Sequence, residues 1–286
     1  MISIFIMYSP DRKEALEFTI SCLKKMKFYE SCQKTLVVDG QPNEFPSDFE
    51  IIKVPRLRGE FNWADMWNAG VCSARHDIVW YLDSDRLLPP NYISLILDNV
   101  KENNFVFTSN HFLMLQEMGF EQCQEFMEGE EGIFLEEEFM GKVKYEVRYK
   151  NPVHGPGKNV MSGNTAFLRR TYEKLGGVDR WYRGHGAFAD TDFHFKASLN
   201  DCDFMDLGVY ELHYKHDKLN NKEEALNRVQ LYQLSLDNFI YYCNKWDLPM
   251  VLAENFALRS GISKPEKYVR EKLVDYTGIV TGMVSK

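Results

Sequence analysis

Two aspartates, Asp83 and Asp85, come directly after a run of apolar residues in the stretch IVWYLDSDRLLPP, residues 78–90. Carboxylates this close to each other repel unless a cation lies between them. Hard oxygen ligands of this kind suit Mg²⁺ or Mn²⁺, and proteins commonly share these ions with a diphosphate. The pair therefore indicates a divalent-metal site, and the alternative is an exposed acidic turn.

Two histidines lie close together late in the chain. His213 and His216 lie at H-x-x-H spacing at the end of the strand-like stretch FMDLGVYELHYKH. A neutral imidazole is a reasonable ligand for Mn²⁺. The alternative is a pair of histidines at a strand end with no ligand. Two further Asp-x-Asp pairs, Asp190/Asp192 and Asp201/Asp203, do not directly follow a long apolar strand.

The elements that position Asp83 and Asp85 follow from hydrophobic periodicity. Apolar runs predict strands over ISIFIMY, TLVVD, EIIKV, IVWYL and FVFTS. Helices are predicted between them, the first capped by Ser9 with Pro10 at its first position and the second opened by Asn62. This alternation over about 110 residues predicts an α/β fold with a mainly parallel sheet and helices on both faces. Ligands bind at the carboxyl ends of such strands, where Asp39 also lies.

The rest of the chain divides into three parts. Residues 111–158 interrupt the alternation, with nine Glu and no Lys or Arg between Glu117 and Glu138. This composition predicts a solvated acidic insertion, and the alternative is a lid or acceptor-binding region. Strands and helices resume over 159–220. Residues 221–286 are predicted to form a C-terminal helical region that follows a domain over 1–220.

Composition limits the class of partner and the compartment. The net charge of −8 argues against duplex DNA or an anionic membrane surface as the main partner, so nucleic acid is not expected. Six widely spaced cysteines without a C-x-x-C pair predict a reducing compartment. The N-terminal apolar run is too short for a signal peptide or a membrane span, and no longer run occurs elsewhere. A cytoplasmic protein without a transmembrane segment is therefore expected.

Taken in order, five segments resemble the GT-A glycosyltransferases, the nucleotide-diphospho-sugar transferase fold, from residue 2 to about residue 246. MYSPDR is similar to the first-strand loop of that family, and VVDG to its second-strand acidic segment. FNWADMWNAGVCSARHDIVWYLDSD is similar to the segment from an Asn-x-Gly helix to the Asp-x-Asp motif. MSGNTAFLRRTYEKLGGVDRWYRGHGAFADTDF is similar to the stretch from Gly-Gly-x-Asp to a Glu-Asp pair, and LHYKHD to the segment with the late metal-binding histidine.

The resemblance implies that 1–220 is the catalytic domain, with 1–110 as its nucleotide-binding half and 159–220 as its acceptor and catalytic half. It also implies a role for each matched residue. Asp85 would ligate Mn²⁺ or Mg²⁺, and Asp83 would contact the ribose or a metal-bound water. His216 is the first choice for the third protein ligand and His213 the second. The implied nucleotide contacts are Tyr8, Arg12 and Asp39, and the other implied donor contacts are Asp65, Asn68 and Ser84. An alternative role for Asp65 is to cap its helix through the Asn62-x-x-Asp65 pattern.

The sequence departs from the family at the Glu-Asp pair, which reads Ala189-Asp190 here. Asp190 remains the implied general base, and its alternative role is a helix N-cap. An ordinary aspartate pKa of about 3.9 would keep it ionised at neutral pH. The missing Glu bears on the acceptor, because the family uses it to bind the acceptor hydroxyl.

The function that follows from the resemblance is metal-dependent, inverting transfer of a sugar from a nucleotide-diphosphate donor to an acceptor hydroxyl. The expected donor is a UDP-sugar, and the expected acceptor is a glycan or another hydroxyl-bearing molecule. The alternatives are a retaining transferase on the same fold and an inactive glycan-binding or scaffolding relative. A nucleotidyltransferase is discounted because MYSPDRKE has no glycine-rich phosphate loop.

Overall fold

The computed structural model describes residues 1–9, 12–39, 46–55, 62–108, 110–114, 145–149, 163–182, 184, 188–213 and 222–273. Within these ranges the strands are β1 (Ile2–Tyr8), β2 (Gln33–Asp39), β3 (Glu50–Val54), β4 (Ile78–Asp83), β5 (Arg86–Leu87), β6 (Asn104–Phe107), β7 (Asn110–Met114), β8 (Tyr145–Tyr149), β9 (Asn164–Leu168), β10 (Asp203–Asp206) and β11 (Tyr210–His213). The five strands predicted for the first half of the chain are confirmed as β1, β2, β3, β4 and β6.

The helices of the described ranges are α1 (Lys13–Lys24), α2 (Trp63–Cys72), α3 (Tyr92–Asn99), α4 (Arg169–Lys174), α5 (Ala189–Leu199), α6 (Lys222–Lys245), α7 (Val251–Arg259) and α8 over residues 265–273. Asn62 caps α2 as predicted, because its side chain accepts a hydrogen bond from the backbone N–H of Asp65. None of the helices described in this structure is long and apolar enough to cross a membrane.

A seven-stranded sheet forms the centre of the fold, in the order β10-β6-β9-β4-β1-β2-β3. Its neighbouring strands are parallel except where β9 pairs with β4 and β6. The mainly parallel sheet predicted from the sequence is therefore confirmed. The carboxyl ends of β1, β2 and β4 meet at one edge, which brings Tyr8, Asp39 and Asp83 to the same side of the sheet.

Both faces of this sheet are covered, and β1 shows why. Phe5 and Met7 pack into one core cluster, whereas Ile4 and Ile6 pack into the other. Successive side chains of a strand point to opposite faces, so an unbroken apolar run is what a strand buried on both faces requires. Apolar side chains of α6, α7 and α8 belong to the first cluster, so these helices share a core with the sheet.

A second sheet in the order β5-β11-β7-β8 was not predicted. Strands β7 and β8 fall almost wholly within residues 111–158, and the rest of that insertion, including its acidic segment, lies outside the described residues. The stretch FMDLGVYELHYKH was expected to form one strand-like segment. It forms two, β10 in the large sheet and β11 in the small one, separated by Gly208 in the left-handed region at φ 69°.

The predicted cap of α1 is wrong. Arg12 occupies the N-cap position and no side chain caps the helix. Ser9 accepts a hydrogen bond from the backbone N–H of Arg12 through its carbonyl oxygen, at 3.0 Å. Pro10 lies outside the described residues. The helix begins at Lys13, later than the sequence predicted.

Candidate functional site

Two hydrogen bonds to other parts of the chain hold the backbone of the turn from Asp83 to Asp85. Asp83 is the last residue of β4, and its backbone N–H donates to the carbonyl of Gly163 at 2.8 Å. The carbonyl of Ser84 accepts from the hydroxyl of Thr19, on α1, at 3.0 Å. Ser84 and Asp85 are only 1% and 2% exposed. The alternative of an exposed acidic turn is therefore wrong for Asp85.

The small sheet brings His213 to Asp85. Strand β11 pairs antiparallel with β5, and the register places His213 opposite Arg86, the residue after Asp85. As a result Nε2 of His213 lies 3.0 Å from Oδ2 of Asp85. The second choice for the late histidine is thus the one the structure places at the aspartates. His216, the first choice, lies outside the described residues.

Arg12 reaches the same carboxylate oxygen from the start of α1. Its Nη1 donates a hydrogen bond to Oδ2 of Asp85 at 2.9 Å. The Arg12 side chain is 30% exposed, whereas that of Asp85 is 2% exposed. Oδ2 of Asp85 therefore contacts both the guanidinium of Arg12 and the imidazole of His213, where the sequence predicted a metal ion.

Sequence reasoning did not identify Arg86, whose side chain is 7% exposed. Nη1 of Arg86 lies 2.9 Å from Oε1 of Glu211, Nε lies 3.4 Å from Oδ1 of Asp85, and Nη2 lies 3.6 Å from Oδ2 of Asp83. Burial alone would lower the pKa of Arg86, but these three carboxylates raise it above its ordinary value. The guanidinium therefore stays charged inside the protein.

Glu211 was also missed, although the sequence contains a signal for it. Glu211 and His213 are two residues apart on β11, so both side chains project from the same face of the strand. The other oxygen of Glu211 accepts a hydrogen bond from the amide of Asn164 at 3.1 Å. Asn164 in turn accepts from the indole N–H of Trp80 at 2.7 Å. This chain of contacts ties β11 to the central strands of the large sheet.

Asp83 is oriented by its own strand. The hydroxyl of Tyr81, two residues earlier on β4, donates a hydrogen bond to Oδ1 of Asp83. Burial, followed by the charge of Asp83, raises the pKa of Tyr81 well above its ordinary value, so the phenol remains a donor at any physiological pH. Oδ2 of Asp83 is the oxygen that faces Arg86.

Asp190 lies in the first turn of α5 and is partly buried. Phe188 occupies the N-cap position, so the N-cap alternative for Asp190 is wrong. Burial raises the pKa of Asp190 to about 6 against the opposing effect of hydrogen bonds that include the N–H of Thr191. The charge of Asp83 adds to the rise, so the two carboxylates are close enough to interact. At neutral pH Asp190 is mostly ionised and is a stronger base than an ordinary aspartate.

Four of the remaining predicted residues have partners within the protein. Asp65 accepts hydrogen bonds from the side chains of Asn62 and Arg180, and the Asn62-x-x-Asp65 cap is formed. The side-chain oxygen of Asn68 accepts hydrogen bonds from the hydroxyl of Tyr172 at 2.6 Å and from the backbone N–H of Val178 at 3.2 Å. The side-chain NH₂ group of Asn68 donates to the backbone carbonyl of Val178. The two at neighbouring strand ends are Tyr8 and Asp39, which are 5% and 1% exposed.

The two residues of the second Asp-x-Asp pair, Asp190 and Asp192, have different surroundings. Asp192 is fully buried and accepts hydrogen bonds from the hydroxyl of Tyr182 at 3.0 Å, the indole of Trp246 at 2.7 Å and the ammonium of Lys245 at 2.8 Å. Lys245 also donates to Asp179 at 2.8 Å. Asp192 therefore fastens α5 to the end of α6, whereas Asp190, two residues earlier, remains partly exposed.

Within the described ranges, no group of three or more His, Cys, Asp or Glu side chains is arranged to hold a metal ion. Nε2 of His213 and Oδ2 of Asp85 nevertheless make a hydrogen-bonding contact at 3.0 Å, so both atoms are placed where they could hold the same cation. A carboxylate oxygen with an imidazole nitrogen is a donor set that suits Mn²⁺.

No family model matches the chain, and no curated protein matches it in sequence. Solved structures do match it. GalNAc-T7 with UDP, GalNAc and Mn²⁺ aligns over 97% of this chain and 57% of its own, at 12% identity and a TM-score of 0.56. TarS 1-349 from S. aureus in complex with UDP-GlcNAc aligns over 89% of this chain and 70% of its own, at 10% identity and a TM-score of 0.51. This chain therefore spans little more than half of GalNAc-T7.

Both matched proteins are GT-A glycosyltransferases. Their likeness to this chain extends across the seven-stranded sheet and its flanking helices, and identities this low establish the fold alone. The protein has the GT-A fold, as the order of its sequence segments predicted.

Proposed function

We propose that this protein is a metal-dependent glycosyltransferase that moves a sugar from a nucleoside-diphosphate donor to an acceptor hydroxyl, with inversion at the anomeric carbon. The observation that carries the proposal is the meeting of Asp85 and His213, 3.0 Å apart, at the ligand-binding edge of a GT-A sheet. Carboxyl ends of parallel strands are where such sheets bind nucleotides.

Asp85 and His213 are the residues that would hold the divalent cation, Mn²⁺ or Mg²⁺, with Asp83 beside them on the ribose or a metal-bound water. His216 is a further candidate ligand on the segment that follows β11. A cation bound there supplies positive charge that stabilises the departing nucleoside diphosphate. The 2% exposure of Asp85 supports this role, since a carboxylate that is buried needs a positively charged partner.

Arg12 has two partners available in this scheme. Its guanidinium contacts Asp85 at the oxygen that faces His213, and it is 30% exposed. A planar guanidinium binds phosphate oxygens as readily as it binds a carboxylate. When Oδ2 of Asp85 binds the cation instead of Arg12, the guanidinium of Arg12 can bind the diphosphate. The predicted nucleotide contacts Tyr8 and Asp39 lie at the adjacent strand ends, on the same edge of the sheet.

Asp190 is the proposed general base, and its raised pKa favours that role. It would accept the proton of the acceptor hydroxyl while the hydroxyl oxygen attacks the anomeric carbon from the face opposite the nucleotide. A pKa of about 6 leaves Asp190 mostly ionised at neutral pH while giving it more basic strength than an unperturbed aspartate has.

The donor is proposed to be a UDP-sugar. The solved structures with the same fold at TM-scores above 0.5 contain UDP in one case and UDP-GlcNAc in the other. The acceptor is proposed to be a glycan or another molecule with a hydroxyl group. Ala189 is fully buried, so this position offers no side chain to an acceptor, and acceptor recognition must come from other residues. A cytoplasmic location remains the prediction from cysteine usage.

A thermal-shift panel of nucleotide sugars, each with and without Mn²⁺, tests the proposal. One donor is expected to raise the Tm only when Mn²⁺ is present, since a ligand that binds the folded state stabilises it. An anomer-resolved product assay with that donor then distinguishes inversion from retention. Absence of both transfer and donor hydrolysis, with donor binding intact, would instead support the inactive glycan-binding relative.

A further inference from the structure

The guanidinium of Arg86 is shared among three carboxylates. Nη1 donates a hydrogen bond to Glu211 at 2.9 Å, whereas Nε and Nη2 make ion-pair contacts with Asp85 and Asp83 at 3.4 and 3.6 Å. We infer that Arg86 is a positioning residue that fixes the directions of the Asp83 and Asp85 carboxylates so that they can serve a divalent cation. This inference rests on the metal site of the proposed function.

The planar shape of the group explains why it can act in this way. An arginine presents donors in a rigid fork, whereas a lysine presents one compact charge on a flexible stem. Arg86 faces Oδ1 of Asp85, so the other oxygen, Oδ2, is the one directed to His213 and Arg12. Rotation of the Asp85 carboxylate would move Oδ2 away from His213. The ion-pair contact of Nε with Oδ1 therefore leaves Oδ2 as the oxygen of Asp85 that meets His213 and Arg12.

The backbone around Gly163 is shaped to admit this guanidinium. Gly163 has a φ of 90°, and a Cβ added there would lie 2.6 Å from Cζ of Arg86 and overlap its Nη2. The carbonyl of the same glycine accepts the hydrogen bond from the backbone N–H of Asp83. Any side chain at position 163 would therefore force either Arg86 or the backbone at Gly163 to shift, without changing the charge of the site.

Glu211 connects Arg86 to the other half of the proposed metal site. Oε1 of Glu211 accepts a hydrogen bond from Nη1 of Arg86. Glu211 lies two residues before His213, on the same face of β11. Asn164 holds its second oxygen at 3.1 Å. The turn with Asp83 and Asp85 and the strand with His213 are consequently joined through one buried guanidinium, so a change at Arg86 disturbs both sides of the site together.

Charge and positioning lead to opposite expectations for Mn²⁺ binding. Arg86 is a positive charge beside two aspartates, so a purely electrostatic role would oppose a second cation, and its removal would tighten binding. A positioning role predicts weaker binding once the fork is lost, because groups that orient metal ligands change affinity by about 10- to 100-fold. The direction of the change therefore separates the two roles.

The test is to titrate Mn²⁺ into the full-length wild-type, Arg86→Lys, Arg86→Gln and Gly163→Ala proteins and to follow the electron paramagnetic resonance signal of the free ion. All three variants are expected to bind Mn²⁺ about tenfold or more weakly. The matched control is Arg170→Lys, which alters an exposed pair with Glu102 and should bind as the wild type does. If Arg86→Gln should fail to fold because Glu211 is left buried without its cation, the double variant Arg86→Gln/Glu211→Gln replaces it.

Tighter Mn²⁺ binding by Arg86→Gln, or wild-type binding by both Arg86→Lys and Gly163→Ala, overturns the inference and leaves the proposed function intact. If the wild type itself fails to bind Mn²⁺, alone or with UDP, the proposed metal site fails. Crystal structures of the wild type and Arg86→Lys then decide the inference. Movement of the Asp83 and Asp85 carboxylates by more than about 0.5 Å supports positioning, and unmoved carboxylates contradict it.

Discussion

Nε2 of His213 lies 3.0 Å from Oδ2 of Asp85, although 128 positions separate the two residues in the chain. The contact depends on the pairing of a two-residue strand, β5, with β11, in a register that places His213 opposite Arg86. The short strand begins immediately after Asp85, so the aspartate turn and the histidine strand share one local structure. This pairing converts an acidic strand end into a mixed oxygen and nitrogen site.

We expect His213→Gln to weaken the Mn²⁺-dependent response to the donor by about tenfold or more, because a ligand of the cation is lost while side-chain size is largely kept. The measurement is the donor concentration needed for half-maximal Tm shift at fixed Mn²⁺. His76→Gln is the control, because His76 immediately precedes Asp77 and the amino end of β4, at the opposite edge of the sheet from Asp83. An unchanged response in His213→Gln would remove this histidine from the site.

Asp85→Asn is expected to abolish the Mn²⁺-dependent part of donor stabilisation, since a neutral amide is a poor ligand for a hard divalent cation. Asp203→Asn is a matched control within another Asp-x-Asp pair, because Asp203 is exposed at the edge strand β10. Calorimetric titration of UDP with and without Mn²⁺ measures both variants. Equal metal dependence in Asp85→Asn and the wild type would refute the assignment of Asp85.

The rate of transfer should rise with pH and level off above about pH 6, because only the ionised form of Asp190 can accept a proton and burial raises its pKa to about 6. Asp190→Asn should lower kcat by at least about 100-fold and leave donor binding unchanged. The measurement is kcat/KM against pH for the identified donor and acceptor. A flat profile through this range, together with an active Asp190→Asn protein, would rule out Asp190 as the base.

Lys245→Met tests the other role of the Asp190/Asp192 pair. It removes the cation shared by Asp179 and the fully buried Asp192, which should lower the free energy of unfolding by about 3 kcal/mol. Lys267→Met, in an exposed pair with Glu271, should cost less than about 1 kcal/mol. Urea denaturation measures both. Equal stability of the two variants would show that the ion pair of Lys245 with Asp192 does not fasten α6 to α5.

Strand positions and the acidic strand end were predictable because they depend on local hydrophobic pattern. The apolar run of β4 predicts a buried strand. The aspartates at its end predict the carboxyl edge of the sheet and the candidate metal ligand Asp85. The contact of His213 with Asp85 could not be predicted from the sequence. It depends on the register of β5 with β11, and no local pattern of a two-residue strand reveals its partner.

The buried ion cluster could be predicted only in part. Arg86 follows the aspartates directly, and Glu211 shares a strand face with His213, so both carried a signal. Their contact spans 125 positions and depends on the second sheet, which the sequence pattern did not indicate. The same holds for Asn68, whose contacts with Val178 depend on the packing of α2 against the turn after α4.

The most direct test of the proposed function is the position of Mn²⁺ in a crystal of the wild-type protein soaked with UDP, located by anomalous scattering. We predict one peak in contact with Oδ2 of Asp85 and Nε2 of His213, with Arg12 withdrawn from Asp85 and the diphosphate bound to the ion. Clear density for UDP with the ion at another place, or with Arg12 still paired to Asp85 and no ion present, would contradict the account.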